Sequence, residues 1–387
     1  MKSHHVLIVG AGAAGWSAAD TLARSGWPGP VTIADPQGPM NRTLVNKGVL
    51  TGLLTPEQIT REAPAGAELV REEVSAIEDD GTVRFRSGGH IRPAAVLLAS
   101  GSTPRHYSTE ADMDRVGAVE RLTPLHSIQD AERVRHLLPS SGGRVVILGA
   151  GLVGSETASL LTEAGADVTL VSRSPIPLRR ELGPVVASAL LDVHDARLRT
   201  RFGHPVSHVI AGSESVVIEL EDGERLEAHA ALVAHGTVAR RPVLVGSREG
   251  SIAVDGRLRS GQRDVYAAGG VAAVRAGGAS VRVDHWEDAA AQGAHAARSI
   301  IHDLLGGPDP GEYRFAASYS SRIHGSTLTA WGVAFPGGRW TQPIDGTVVA
   351  VGTHESHTTA VVGVDDAKSV RSIAAEIMAA RQLNSAS

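Results

Sequence analysis

Short, wholly apolar runs punctuate the first three quarters of the chain, and two of them pass through a glycine-rich turn into a stretch of helical periodicity. Val6–Val9 is the first such run. It has no polar alternation, which predicts a strand buried on both faces, as in a parallel sheet. It passes into Gly10-Ala11-Gly12-Ala13-Ala14-Gly15 and then into a predicted helix from Trp16 to Arg24. Val31–Ala34 predicts the next strand, ending at Asp35. The same pattern recurs further on. Arg144–Leu148 predicts a strand, Gly149-Ala150-Gly151-Leu152-Val153-Gly154 a turn, Ser155–Ala164 a helix and Val168–Val171 a strand. Between the two copies, Glu68–Ile77, Val83–Arg86 and Ala95–Ala99 read as short strands of a meander, and Ser127–Leu138 as a helix. Beyond the second copy, strands are predicted at Ser207–Ile210, Ser215–Leu220 and Ala231–Ala234. A buried strand within 264–270 stops at Gly269-Gly270, and His285-Trp286 then opens a long helix, Glu287–Leu305, with acids in its first turn. From about Phe315 the pattern changes. Strand signals at Thr327–Val333, Thr347–Val351 and Thr359–Val364 precede an amphipathic helix with Val370, Ile373, Ala374, Ile377 and Met378 on one face.

A strand, a glycine-rich turn and a helix in that order make a dinucleotide pyrophosphate site. The first glycine permits the tight turn, the second lets the backbone approach the phosphates, and the third allows the helix to pack closely on the strand. The helix N-terminus presents free N–H groups and a positive dipole end to the anion. Asp35, 20 residues after Gly15, can take the hydroxyls of a ribose. Two copies imply two dinucleotides. The expected fold class is therefore α/β, with two Rossmann-like dinucleotide-binding domains followed by a small C-terminal α+β domain. In the second copy the strand is followed by Ser172 and Arg173 instead of an acid. An arginine can hold a 2′-phosphate, so NADPH is expected over NADH, with a surface role for Arg173 as the plain alternative.

Composition narrows the chemistry. The 387 residues are 42% hydrophobic and 20% charged, as in an ordinary soluble protein, and a net charge of −5 argues against nucleic acid as a partner. No apolar run approaches a membrane span of about 18 residues. The chain enters its first strand within five residues, leaving no room for a signal peptide, so a cytoplasmic protein is expected. The histidines show no metal spacing, and no metal is assigned. There is no cysteine, which excludes a redox disulfide, a thiol nucleophile and an iron–sulfur cluster. Redox chemistry would have to come from a bound cofactor. Lysine occurs only at 2, 47 and 368, while arginine supplies the rest of the positive charge. A compact ammonium at Lys47 thus suggests a specific need, the alternative being a solvated surface lysine.

Along nearly its whole length the chain resembles the two-dinucleotide FAD/NAD(P)H flavoproteins, within them the ferredoxin and rubredoxin reductase branch. The matching motifs are GAGAAG at 10–15, GSTPR at 101–105, GAGLVGSE at 149–156, PLRRELG at 177–183, VYAAGG at 265–270 and HWEDAAAQG at 285–293. The resemblance implies an FAD-binding domain from 1–110 with 241–314, an NAD(P)H-binding domain at 111–240 and an interface domain at 315–387. It implies that Gly10, Gly12, Ala14, Gly15 and Asp35 hold the FAD pyrophosphate and ribose, with Arg42, Ser100, Gly101 and Arg105 lining the same cofactor. Gly149, Gly151, Leu152, Val153, Gly154, Ser172, Arg173 and Gly236 would hold the nicotinamide dinucleotide. Glu156 would pair with Lys47 beside the reacting rings; a first-turn acid serving the helix dipole is the alternative. Gly269, Gly270, His285 and Trp286 would border the flavin, with the helix start facing its N1 edge; a packed core tryptophan is the other reading of Trp286. Lys47, Glu156 and Trp286 are the expected catalytic residues. Two departures from the family pattern stand out. Ala-Gly-Asp is here Ala268-Gly269-Gly270, removing a carboxylate from the flavin region, so that either FAD binds more weakly or a loop near Val271–Val283 compensates. A proline- and serine-rich stretch is here Arg42 to Lys47.

The expected activity is hydride transfer from NADH or NADPH to FAD, with electrons passed to a small ferredoxin- or rubredoxin-type iron–sulfur carrier. The alternatives are an NAD(P)H oxidase or diaphorase, and a flavoprotein kept for interaction with its redox chemistry lost. Exposed arginines offer a docking patch for an acidic carrier, or plain solvated faces. A homodimer is compatible with the chain, though no exposed apolar helix marks a dimer face.

Overall fold

The computed structural model describes residues 4–105, 121–138, 143–244, 250–276 and 278–385. Residues 106–120, where the boundary between the first two expected domains falls, lie outside the described residues. The chain forms two compact units. One comprises 1–42, 57–103 and 237–317; the other comprises 43–56, 104–236 and 318–387.

The first unit is built on a five-stranded sheet in the order Val265–Ala267, Ala95–Leu98, Val6–Val9, Val31–Ala34, Ala67–Val70. Every pairing in it is parallel. Val6–Val9 lies at its centre and is buried along its whole length, as an unalternating apolar run requires. The first helix, Ala13–Arg24, and the long helix, Trp286–Leu305, pack on one another, and Gly293 makes this close approach feasible. A Cβ at Gly293 would collide with the backbone of Ala14. The expected single strand Glu68–Ile77 is two. Ala67–Val70 extends the parallel sheet, while Val74–Ile77 starts a separate antiparallel meander with Val83–Phe85 and His90–Ile91. The polar run Arg71-Glu72-Glu73 supplies the break, since it has no apolar face to offer either sheet.

The second unit repeats the plan. Its parallel sheet runs Arg199–Phe202, Asp167–Ser172, Arg144–Leu148, Ala230–Val233, Leu122–Pro124. A three-stranded antiparallel sheet packs its apolar face, including Val209, Val216 and Ile218, against Val146 and Leu148. Ser127 caps the Ile128–Leu137 helix in a reciprocal box with Asp130, which fixes the expected start of that helix. The C-terminal stretch forms a five-stranded antiparallel sheet, followed by the helix Ala367–Ser385.

Both glycine-turn helices start earlier than their periodicity suggests, at Ala13 and Leu152, with Gly12 and Gly151 as caps. The helix Arg179–Asp195, which polar and proline residues hide in the sequence, is kinked at Gly183-Pro184. Its Leu182, Val186 and Leu190 pack on Ile323, Leu328 and Val362 of the C-terminal sheet. No helix among the described residues is long and apolar enough to cross a membrane.

Candidate cofactor sites

In the first unit, Gly10 has φ +107° and abuts the backbone of Ala99, so no side chain fits there. Gly15 is equally constrained, because a Cβ would run into the Gly10 carbonyl. Gly12 is different. Its φ is −68°, which any residue adopts, and a Cβ there would meet nothing within 4 Å. No demand of the protein explains this glycine, whereas a ligand laid against the backbone would. The helix opens at Gly12 with no side-chain cap, and its first internal bond is Trp16 N–H to the Gly12 carbonyl. The N–H groups of Ala13, Ala14 and Gly15 are thus left for an anion. This cradle fits a dinucleotide pyrophosphate.

Asp35 sits at the end of its strand, where its Oδ2 accepts from Ala11 N–H at 2.8 Å. Oδ1 accepts from the N–H groups of Gln37 and Gly38 at 2.8 and 2.9 Å. The carboxylate is therefore rigid and immediately beside the glycine loop. Burial lowers the Arg42 guanidinium from its ordinary value, while the Asp284 and Asp35 carboxylates act in the opposite sense. Arg42 forms no ion pair within 4 Å among the described residues, yet it remains charged, as arginine does. Gly101 has φ +70°, and a Cβ there would lie 3.7 Å from Arg42 Nη2. Ser100 Oγ donates to the Arg240 carbonyl.

Gly269 has φ +76° and donates its N–H to Gln292 Oε1 at 2.8 Å. Gln292 in turn donates to Asp288 Oδ2 at 2.7 Å, and Tyr313 donates to Asp288 Oδ1 at 2.7 Å. This buried chain holds the start of the long helix, whose cap is His285 and whose first residue is Trp286. Arg61 lies over two indoles, 5.4 Å from the centroid of Trp16 and 5.6 Å from that of Trp286.

In the second unit the glycine loop is duplicated in detail. Gly149 has φ +113° and abuts Ala234, Gly154 would collide with the Gly149 carbonyl, and Gly151 caps its helix with φ −75°. A Cβ at Gly151 would come no nearer than 4.0 Å to the protein. The N–H groups of Leu152, Val153 and Gly154 are left free as in the first copy, and Val153 is exposed. Ser172 Oγ accepts from Ser174 N–H at 3.1 Å, and Arg173 is exposed. Gly236, at φ +99°, accepts through its carbonyl from Arg105 N–H at 3.0 Å. Arg105 thus belongs to this unit, beside Gly236.

Lys47 lies in a π-helical turn, Val45–Val49, closed by Leu50 N–H to the Val45 carbonyl at 2.8 Å. Such turns are rare and occur frequently at functional sites. Lys47 Nζ lies 3.1 Å from Glu156 Oε1, and Asn46 Nδ2 donates to Glu156 Oε2 at 2.9 Å. Ser321 Oγ also donates to Oε1, at 2.9 Å. Glu156 is buried and makes no first-turn cap; its carboxylate is shared among three donors. Asn46, Ser321, Asp284 and Gln292 escaped the sequence reading. Asn46 beside Lys47 was the one available hint; Ser321 approaches from 165 residues away.

Comparison with known proteins agrees with this geometry. Residues 4–293 match the family described as pyridine nucleotide-disulphide oxidoreductase. The chain is 30% identical over 320 residues to human apoptosis-inducing factor 3, covering 78% of this chain and 51% of that protein. It is 27% identical over 326 residues to the 3-phenylpropionate/cinnamic acid dioxygenase ferredoxin–NAD(+) reductase component of Photorhabdus laumondii, covering 80% of each. Among solved structures, the covalent putidaredoxin reductase–putidaredoxin complex superposes with a TM-score of 0.82 at 21% identity, covering 97% of this chain and 93% of that one. Since the family match runs through both glycine loops and both parallel sheets, the chain belongs to the pyridine nucleotide-disulphide oxidoreductase family.

Proposed function

We propose that the chain is an FAD-dependent NAD(P)H reductase that delivers electrons to a ferredoxin- or rubredoxin-type carrier. The observation that carries this reading is the repeated glycine cradle. In each unit an uncapped helix opens at the carboxyl end of the central strand of a parallel sheet, behind a glycine that the protein itself does not require. Relatives named as ferredoxin and rubredoxin reductases support the choice of acceptor. FAD supplies the hydride acceptor and the store of two electrons, which a cysteine-free chain cannot provide from its own side chains.

The chain's residues bind and orient. The Ala13–Gly15 N–H groups and Arg42 hold the FAD pyrophosphate, and Asp35 orders the adenosine ribose. The N-terminus of the helix from Trp286 stabilises negative charge on the flavin. The loop 149–154 holds the second dinucleotide. Lys47 and Glu156 form a fixed charge pair that attends the nicotinamide, and Arg173 favours a 2′-phosphate. On this reading 1–110 with 241–314 bind FAD, 111–240 bind NAD(P)H, and 315–387 form the interface domain.

The test is an anaerobic stopped-flow titration of the FAD-loaded protein with NADH and NADPH. Rapid loss of flavin absorbance, followed by reoxidation on adding ferredoxin, is the expected result, with NADPH preferred and Arg173→Ala abolishing the preference. A flavin that neither nucleotide bleaches overturns the reading. Reoxidation by oxygen but not by any iron–sulfur carrier converts it to an oxidase.

A further inference from the structure

Gly270 is buried in the turn Gly269–Val271, and its φ lies outside the left-handed region. Nothing in its own backbone calls for glycine. A Cβ built there would first meet Asp284 Oδ1, 2.5 Å away, with Asp284 Cγ at 3.2 Å and Ser102 Cβ at 3.5 Å. The room beside Gly270 is therefore filled by a carboxylate that enters from another part of the same unit.

That carboxylate is fastened through one oxygen. Asp284 Oδ2 accepts from Ser102 Oγ at 2.6 Å and from Thr237 Oγ1, and Arg282 Nη2 lies 3.5 Å from it. Arg282 also ties the carboxylate's neighbours together. Its Nε donates to the Gly270 carbonyl at 2.6 Å and its Nη2 to Thr237 Oγ1 at 3.0 Å. Burial by itself would raise the Asp284 carboxyl, but the two hydroxyl donors and the charges of Arg282 and Arg42 outweigh it and keep the group ionised. Oδ1 accepts no hydrogen bond from any described residue. The side chain keeps 31% exposure, so the carboxylate has an open side.

The surrounding charges say what meets that side. An ionised carboxylate repels phosphate and accepts from hydroxyls. Arg42 lies in the field of both Asp284 and Asp35. A ligand with an anionic centre flanked by two hydroxylated segments matches this order: hydroxyls at Asp35, phosphates at Arg42 and the helix N-terminus, hydroxyls at Asp284. We propose that Asp284 supplies the carboxylate that Gly270 lacks, with Oδ1 accepting a hydroxyl of the sugar-alcohol chain of FAD. This rests on the reading of the first unit as the FAD site. Gly270 and Asp284 form one exchanged pair, in which the loss of a side chain at one position makes room for the carboxylate from the other.

The test measures FAD affinity of the full-length apoprotein by flavin fluorescence, with melting followed by circular dichroism. Asp284→Ala should weaken FAD binding roughly 10-fold or more, the effect of losing one hydrogen bond to a charged group. Gly270→Asp alone should also weaken it, because two carboxylates then compete for one space. The double variant Gly270→Asp with Asp284→Ala should bind more tightly than either single variant. Asp284→Asn keeps the side-chain shape and gives a folded control that should still lose affinity. Wild-type affinity in folded Asp284→Ala or Asp284→Asn overturns the proposal, as does a double variant no tighter than Asp284→Ala. Wild-type protein that takes up no FAD overturns the underlying reading, and so separates that failure from failure of the exchange.

Discussion

Gly12 and Gly15 are three residues apart and look alike in the sequence, but they are glycines for opposite reasons. At Gly15 a methyl group would enter the Gly10 carbonyl; at Gly12 it would meet open space, which on the proposed reading is where the FAD pyrophosphate lies. Gly15→Ala should therefore cost the apoprotein roughly 1–3 kcal/mol, as overpacking does. Gly12→Ala should cost the apoprotein much less, because the poorer N-cap and the smaller entropy of the unfolded chain offset one another to within about 1 kcal/mol, while weakening FAD binding. Urea unfolding of the apoproteins checks the order, and a Gly12→Ala variant that loses as much stability as Gly15→Ala contradicts the assignment. Lys47 shows a different limit. Its rarity marked it in the sequence, but the shape of its site depends on Asn46 and Ser321, which share the same buried carboxylate. Neither residue type is unusual, so only proximity could reveal them.

At the scale of elements, the least legible piece was the helix Arg179–Asp195. Gly183, at φ +78°, and Pro184 interrupt its periodicity, and Trp340 packs its ring over Gly183 while donating to the Arg180 carbonyl at 3.1 Å. The kink made by Gly183-Pro184 thus receives a partner from the C-terminal sheet. The same helix carries His194, buried with its Nδ1 3.2 Å from His324 Nε2 on the hairpin turn of that sheet. His324 N–H donates to Ser159 Oγ at 2.7 Å, and Glu163 and Arg197 complete the charges around the pair. Burial first, then the His324 charge, push His194 down from 6.5 to about 4. The unfolded chain takes up this proton near pH 6.5 and the folded chain resists until about pH 4, so stability is intact above pH 6.5 and falls as pH drops through that window. The full loss is about 3 kcal/mol. Urea midpoints at pH 7.5 and pH 5 should differ in the wild type and differ less in His194→Phe, the part that stays coming from His5, His295 and His324, which burial also lowers. An equal drop in that variant would assign the acid sensitivity elsewhere.

At the scale of the molecule, one plan is used twice, a parallel sheet whose central strand leads into a glycine-capped helix, once in each compact unit. On the proposed reading each copy binds its own dinucleotide. In hydrogen exchange, FAD alone should slow the amides of residues 10–15, and NAD(P)H alone those of 149–154. Protection of 10–15 by NAD(P)H alone would contradict the assignment of the two loops. What the amino-acid order settled by itself was local: buried strands from unbroken apolar runs, helix starts from glycine turns and acids, and the absence of thiol chemistry from the absence of cysteine. These follow from rules acting over a few residues, whether periodicity, capping or steric freedom. Tertiary structure decided what those rules cannot reach. It split one expected strand between two sheets, wound Lys47 into a π turn, and brought Ser321 to Glu156. It also turned the missing side chain at Gly270 from a loss into room for Asp284. Each of those outcomes depends on which distant surfaces meet once the core closes, and a one-dimensional pattern does not record that.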